Sequence, residues 1–283
     1  PETAQLTVLG RPEVDYIKGE VREVITNNPE IKKADEVVKE HLGKAGKKNL
    51  HAIKHGSGLS AAMFGRMVTS DVLARTDAAI HVAHSMTVHE ESSESDYFSA
   101  VDDLQQATEG GLGSAHINNT ELSSGLFYNY VVVDVPLLIS NIEGCSREES
   151  ENANKELSAK VVEQLVRLIS TVSPGAKLGS TAPYAHASFI AVEAGKSTPR
   201  TLSNAFLKPV DKRNDLLADT YSALGDYIIG YKEMYGLDNR FEIATMDKDA
   251  EGIKCLVEAT GARVGSIDDV ASFASSFVRN EHE

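Results

Sequence analysis

Apolar residues recur at helical spacing near the start of the chain. Val14, Ile17, Val21 and Val24 follow Pro12, a good first helical residue, and Asn28-Pro29 stops the run, so the spacing predicts a helix over 12–27. Ile31, Ala34, Val38 and Leu42 predict a second helix over 30–42. The period then changes. Residues 61–68 read as a strand. Across 78–89 the residues alternate, with Ile80, Val82, His84, Met86 and Val88 facing one way and His81, Ala83, Ser85, Thr87 and His89 the other. That pattern predicts a sheet with one buried side. A return strand is expected over 126–135, where mixed apolar faces suit a buried central position. Between these strands lies a polar excursion of about thirty residues, too long for an ordinary hairpin loop. It reads as an arm projecting from the sheet, with Phe98 and Ile117 as isolated apolar residues near its end.

The second half reads as helices and strands in turn. Ser146-Arg147-Glu148-Glu149 has the capping-box pattern and opens a long helix with Ala153, Leu157, Val161, Leu165, Leu168 and Val172 as its inner stripe. Ser173-Pro174-Gly175 ends it. A strand over 186–193, a helix over 215–235 stopped at Gly236, a strand over 240–246 and helices over 250–258 and 266–278 complete the chain. The last helix opens on Ser266 with Asp269 three residues on. This order, with an arm inserted, fits an α+β domain spanning 1–283.

Composition adds bounds. A chain of 283 residues supports one or two domains, and 41% hydrophobic with 25% charged residues is globular. No apolar run nears the ~20 residues of a membrane-spanning helix, and no basic-then-apolar leader opens the sequence, so a cytoplasmic protein without membrane contact is expected. Cys145 and Cys255 lie far apart and read as free thiols. The net charge of −14 argues against a nucleic-acid partner, because phosphate binding needs a basic footprint, although a local patch matters more than the total. One such patch is available. Lys32, Lys33 and Lys39 share the outer face of the second helix, and Lys44, Lys47, Lys48 and Lys54 follow it. They form either a solvated face or a phosphate-contacting strip.

Candidate chemistry is sparse. His81, His84 and His89 with Asp96, Asp102 and Asp103 have metal-ligating side chains, and a metal-dependent nuclease built on His81, His84, Asp102 and Asp103 is the enzymatic alternative. On a strand, however, His81 and His84 point to opposite sides, and the adjacent Asp102 and Asp103 diverge. The structural alternative buries His84 in a hydrogen bond and leaves His81 and His89 on the polar face. There is no Gly-x-Ser-x-Gly elbow and no cysteine signature. Gly110-Gly111-Leu112-Gly113 lacks the Lys-Ser/Thr of a phosphate loop and reads as a turn at the arm tip. Gly175-Ala176-Lys177 suits either a phosphate or a plain helix-end loop. Arg66 suits a phosphate or a salt bridge to an acidic strand neighbour. The loop from Ser197 to Phe206 reads as turn chemistry around Pro199 and Asn204, with contact to another copy as the alternative.

Several stretches together carry a family resemblance. Phe64-Gly65-Arg66-Met67, His81-Val82-Ala83-His84-Ser85-Met86-Thr87-Val88-His89, Asp96-Tyr97-Phe98-Ser99-Ala100-Val101-Asp102-Asp103-Leu104, Ser114-Ala115-His116-Ile117 and Ser123-Ser124-Gly125-Leu126-Phe127-Tyr128-Asn129-Tyr130 occur in that order. In order and spacing they resemble the CasC family, the repeated backbone subunit of the type I-E CRISPR Cascade complex, over roughly residues 50–247. The resemblance implies a modified RNA-recognition (ferredoxin-like) palm with helical insertions, a finger-like insertion over 11–58 and a protruding thumb β-hairpin over 90–122. It implies a non-catalytic role without cofactors. The implied partners are guide RNA, further copies of the chain, the other Cascade subunits, target DNA and, indirectly, a recruited nuclease-helicase. Phe98, Ile117 and Met67 fall where the family wedges between nucleotides, Arg66 and Lys177 become candidate RNA contacts, and Lys32, Lys33, Lys39, Lys44, Lys47 and Lys48 candidate DNA contacts. The family's basic opening segment, an Arg-Ser-Ser-Gln-like run, has no counterpart here, so a chain shortened at its start is expected.

Overall fold

A computed structural model describes residues 9–27, 58–67, 75–100, 116–173, 179, 182–236 and 239–280. Helix α1 (Arg11–Asn27) forms as its apolar spacing requires and buries Val24. The expected second helix over 30–42 lies outside the described residues.

Residues expected to form a strand at 61–68 instead make helix α2 (Leu59–Phe64), closed by Gly65 at φ 77°. Leu, Ala and Met are strong helix formers, and Ala61 and Ala62 are both buried. The start of α1 and the start of α2 meet backbone to backbone. A Cβ on Gly58 would lie 2.6 Å from the Gly10 Cα, so this crossing needs glycine on both sides. Beside it, Glu13 is 3% exposed, accepts from the Gly10 N–H at 2.7 Å and pairs with the Arg66 guanidinium at 2.7 Å.

The long alternating run is not one strand. β1 (Ile80–Val82) pairs antiparallel with β6 (Val131–Val133), and β2 (Met86–Thr87) with β5 (Phe127–Tyr128). The ladder breaks at Ala83–Ser85, so the expected alternation is not carried through the run. Ile80 and Val88 are buried, whereas Val82 and Met86 are exposed. The return run also stops early. Asp134 accepts from the Leu137 N–H at 3.1 Å and Pro136 sits in the first turn, so Val135 opens helix α3 (Val135–Glu143) rather than extending a strand.

Ser146 and Glu149 do form the reciprocal box, but it opens a 3-10 turn (Glu148–Asn152) ahead of helix α4 (Glu156–Thr171). The buried stripe of α4 is Ser158, Ala159, Val162, Val166 and Ser170, while Leu157, Leu168 and Val172 are exposed. Beyond it come β7 (Phe189–Ala194), helix α5 (Leu216–Tyr235) ended at Gly236, β8 (Arg240–Thr245), helix α6 (Glu251–Thr260), β9 (Arg263–Gly265) and helix α7 (Ile267–Arg279). Strand β9, absent from the sequence expectation, lies parallel to β8, which is antiparallel to β7. Alternate residues of β7 and β8 feed two cores. Ile190, Val192 and Ala244 pack with α3, α4 and α7, and Phe189, Phe241 and Ile243 with α5 and α6. The architecture is therefore mixed α and β, with one three-stranded sheet between helical layers and smaller ladders beside it. No helix among the described residues is long and apolar enough to cross a membrane.

The cap of α7 gives a pH-dependent prediction. Ser266 and Asp269 bond reciprocally, and the Ser266 N–H and hydroxyl hold the Asp269 carboxyl below the usual aspartate range. A carboxyl lowered on folding stabilises fully above its unfolded value and loses that contribution as pH falls through the lower folded value. Asp269→Asn should therefore unfold at lower denaturant than the parent at neutral pH, with the gap closing as the solution is acidified past the aspartate range. A gap that is constant with pH would refute the assignment.

Candidate nucleic-acid interface

The arm is a two-stranded antiparallel ribbon, β3 (Ser92–Ala100) with β4 (His116–Ser124). Every residue of β3 is exposed, so the ribbon leaves the body rather than packing on it. Its register decides which side chains act together. Ser99 stands opposite Ile117, and Phe98 opposite Asn118. Directly opposed residues share a face and neighbours along a strand alternate, so Phe98 and Ile117 lie on opposite faces. Tyr97, two residues from Ser99, shares the Ile117 face. All three are exposed, Tyr97 at 63%, Phe98 at 43% and Ile117 at 59%. The ribbon thus carries apolar groups on both sides near the end of its described part.

Its charge is one-sided in sign. Glu90, Glu91, Glu94, Asp96 and Glu121 are acidic, and no Lys or Arg occurs between Arg75 and Arg147. The arm therefore has no ammonium or guanidinium with which to neutralise phosphate.

The root of the arm is irregular. Thr87 pairs with Phe127 and Ser92 with Ser124, leaving four residues on one side against two on the other. His89 occupies this step. It is buried, its Nε2 lies 3.0 Å from the Leu126 amide nitrogen, and its Nδ1 lies 2.7 Å from the Glu90 carbonyl oxygen. The histidine assignment is thus reversed for two of the three, with His89 buried and bonded at the arm root and His84 exposed in the break at Ala83–Ser85. His81 is exposed on β1.

Arg66 and Met67 follow α2. Met67 is 76% exposed. The Arg66 guanidinium, 11% exposed, is held by Glu13, and its backbone bridges to Thr76. The ion-pair alternative is the one realised, with a helical rather than a strand partner, so the Arg66 side chain is tied to α1 instead of presenting a free cation. The loop before α5 is fastened locally. The Leu202 N–H donates to the Tyr128 hydroxyl at 2.9 Å, and Arg200 pairs with Glu193 at 2.6 Å while stacking over Tyr231 at 4.2 Å. Burial, then Tyr128 and Glu193, raise the nearby Tyr130 hydroxyl above its usual range, with Arg200 opposing. Lys32, Lys33, Lys39, Lys44, Lys47, Lys48, Lys177, Asp102, Asp103, and the glycine runs at 110–113 and 175–177 lie outside the described residues. Among the described residues no group of three or more His, Cys, Asp and Glu side chains could hold a metal.

The sequence reading gives Tyr97 and Glu13 no role of their own, and places His89 on the polar face. Tyr97 is recoverable from strand alternation beside Phe98; the Arg66 partner of Glu13 and the Leu126 partner of His89 are distant in sequence and leave no local signal.

Comparison with known proteins adds a family and a fold. The CT1975-like protein family matches residues 1–272. A chain from a structure described as "CRISPR RNA-guided surveillance complex, pre-nicking" superposes with a TM-score of 0.69 at 20% identity, covering 93% of this chain and 67% of that one. A second, from a "CRISPR RNA-guided surveillance complex", gives 0.60 at 21% identity over 98% and 86%. No curated protein matches by sequence.

Proposed function

The chain belongs to the CT1975-like family, and from that membership we propose that it is a non-catalytic backbone subunit of a CRISPR RNA-guided surveillance complex of the Cascade type, holding the guide RNA. Its resemblance to the CasC family and its likeness in fold to chains of such complexes support this reading. The observation that carries it is the ribbon register, which puts Phe98 on one face and Tyr97 with Ile117 on the other.

A wedge between bases needs apolar surface on both flanks, because each flank meets a different base. Such a wedge unstacks bases at a cost of a few kcal/mol per step. It is also blind to sequence, as a guide holder must be when recognition is delegated to base pairing. Met67 supports the same strand from the body, and Arg66 acts by holding Met67 in place. Lys177 supplies a phosphate contact. Copies stack head to tail, and such heterologous contacts build open filaments. Each thumb reaches over a sister copy within an RNA-recognition-like palm assembly, joined by the other Cascade subunits in the cytoplasm. Lys32, Lys33, Lys39, Lys44, Lys47 and Lys48 meet target DNA, and a recruited nuclease-helicase performs the cleavage.

The test is a photo-crosslinking residue placed at Tyr97, Phe98 or Ile117 in the assembled particle. All three should capture guide RNA, with position 98 reaching a different nucleotide from positions 97 and 117. Capture of this chain's own body alone would overturn the proposal.

A further inference from the structure

We propose that His89 is the positioning residue that sets the angle of the arm, and that it does so through its Nε2 alone. The inference rests on the RNA-holding reading for its consequence but not for its geometry.

The ladder breaks where the ribbon leaves the body, with residues 88–91 set against 125–126 across the ribbon and His89 bridged to Val210 outside it. Such an offset bends a ribbon and leaves backbone groups unpaired. Leu126 sits in the break. Its carbonyl still accepts from the Val88 N–H at 3.0 Å, but its own N–H has no ladder partner and goes to the His89 ring. An N–H left without an acceptor in this half-buried place is destabilising, so the ring acceptor compensates for the break in the ladder. The tautomer follows from the partners. Nδ1 faces a carbonyl and carries the proton; Nε2 faces an N–H donor and accepts.

The ring is also fixed in place. A Cβ on Gly125 would lie 2.9 Å from its Cε1 and Nε2, so only glycine leaves room for it. Behind the ring, the Val210 N–H donates to the Val88 carbonyl at 3.0 Å, and the Lys212 ammonium donates to Ser92 Oγ at 2.6 Å. These bonds tie the first arm residues to the strap that precedes α5. His89 therefore joins both strands of the arm root, whereas the bond from Nδ1 to Glu90 stays within one strand. Of the two ring bonds, only the one from the Leu126 N–H to Nε2 crosses the ribbon.

Two substitutions separate the roles. His89→Gln places an amide oxygen near the Nε2 position and can still accept from Leu126, while His89→Asn is too short and keeps only the local bond. Amide hydrogen exchange of the free protein, below its unfolding transition, should show the Leu126 N–H protected in the parent and in His89→Gln but exchanging at least tenfold faster in His89→Asn. In the assembled particle, His89→Asn should weaken guide RNA binding on the order of tenfold, the size of losing one stacked base, with His89→Gln within about threefold of the parent by the same scale. Equal Leu126 exchange in the two variants would overturn the proposal. So would unweakened guide binding by His89→Asn in a particle whose parent binds guide. If the parent binds no guide RNA, the RNA-holding reading fails on its own and the exchange contrast still decides the role of His89.

Discussion

Arg66→Met should lower the unfolding free energy by about 3–5 kcal/mol, the usual cost of stripping one partner from a buried ion pair. Glu13 is 3% exposed, and its carboxylate is shared between the Gly10 N–H and the Arg66 guanidinium. Without the guanidinium, the carboxylate keeps the Gly10 N–H and is almost closed to solvent. The penalty is that of the orphaned charge rather than of the lost attraction, so it should not appear when both charges go together. Glu13→Gln with Arg66→Met keeps an acceptor for Gly10 and should recover most of the loss. Urea midpoints at constant m-value measure both. A double variant no more stable than Arg66→Met would show that the damage comes from packing rather than from charge.

Stripping both faces of the ribbon should cost guide binding about 2–6 kcal/mol, from about 1–3 kcal/mol for each base that loses its stacking partner. Phe98→Ala removes one face; Tyr97→Ala with Ile117→Ala removes the other, and the triple variant removes both. The dependence on salt is the sharper part of this prediction. Affinity falls with salt in proportion to the phosphates neutralised, and the sequence between Arg75 and Arg147 holds no cation to neutralise any. Plots of log affinity against log salt for parent and triple variant should therefore run parallel. Replacing Lys177 should instead flatten the slope by close to one phosphate. Filter binding or fluorescence anisotropy over a salt series reads both, and a changed slope in the triple variant would mean that the arm works by some route other than stacking.

Sequence was most informative where structure is local. The box at Ser266 and Asp269, the cap at Asp215 and the stop at Gly236 are set by neighbours within four residues, and the helices they bound lie within two residues of expectation. It failed where the outcome turns on distant partners. Helix α2 was read as a strand because its six residues are too few to show a period, and its burial comes from Leu138 and other remote residues. The stripe of α4 was drawn through Leu157, Leu168 and Val172, yet the buried face includes Ser158 and Ser170; the Ser170 hydroxyl bonds back to the Val166 and Arg167 carbonyls, so a polar residue passes for an apolar one. At the interface, Phe98 and Ile117 were legible as isolated apolar residues in a polar arm. That they stand back to back was not, because register is fixed by pairing across the ribbon.

The backbone contact between Gly10 and Gly58 has an evolutionary reading. Because Gly10 and Gly58 touch, the chain leaves and rejoins this crossing at one point, whatever the number of residues in between. For a flexible stretch, each doubling of length adds only about 0.6 kcal/mol of closure entropy. Insertions and deletions after α1 can therefore accumulate at little cost to closure, provided that glycine is kept on both sides of the crossing.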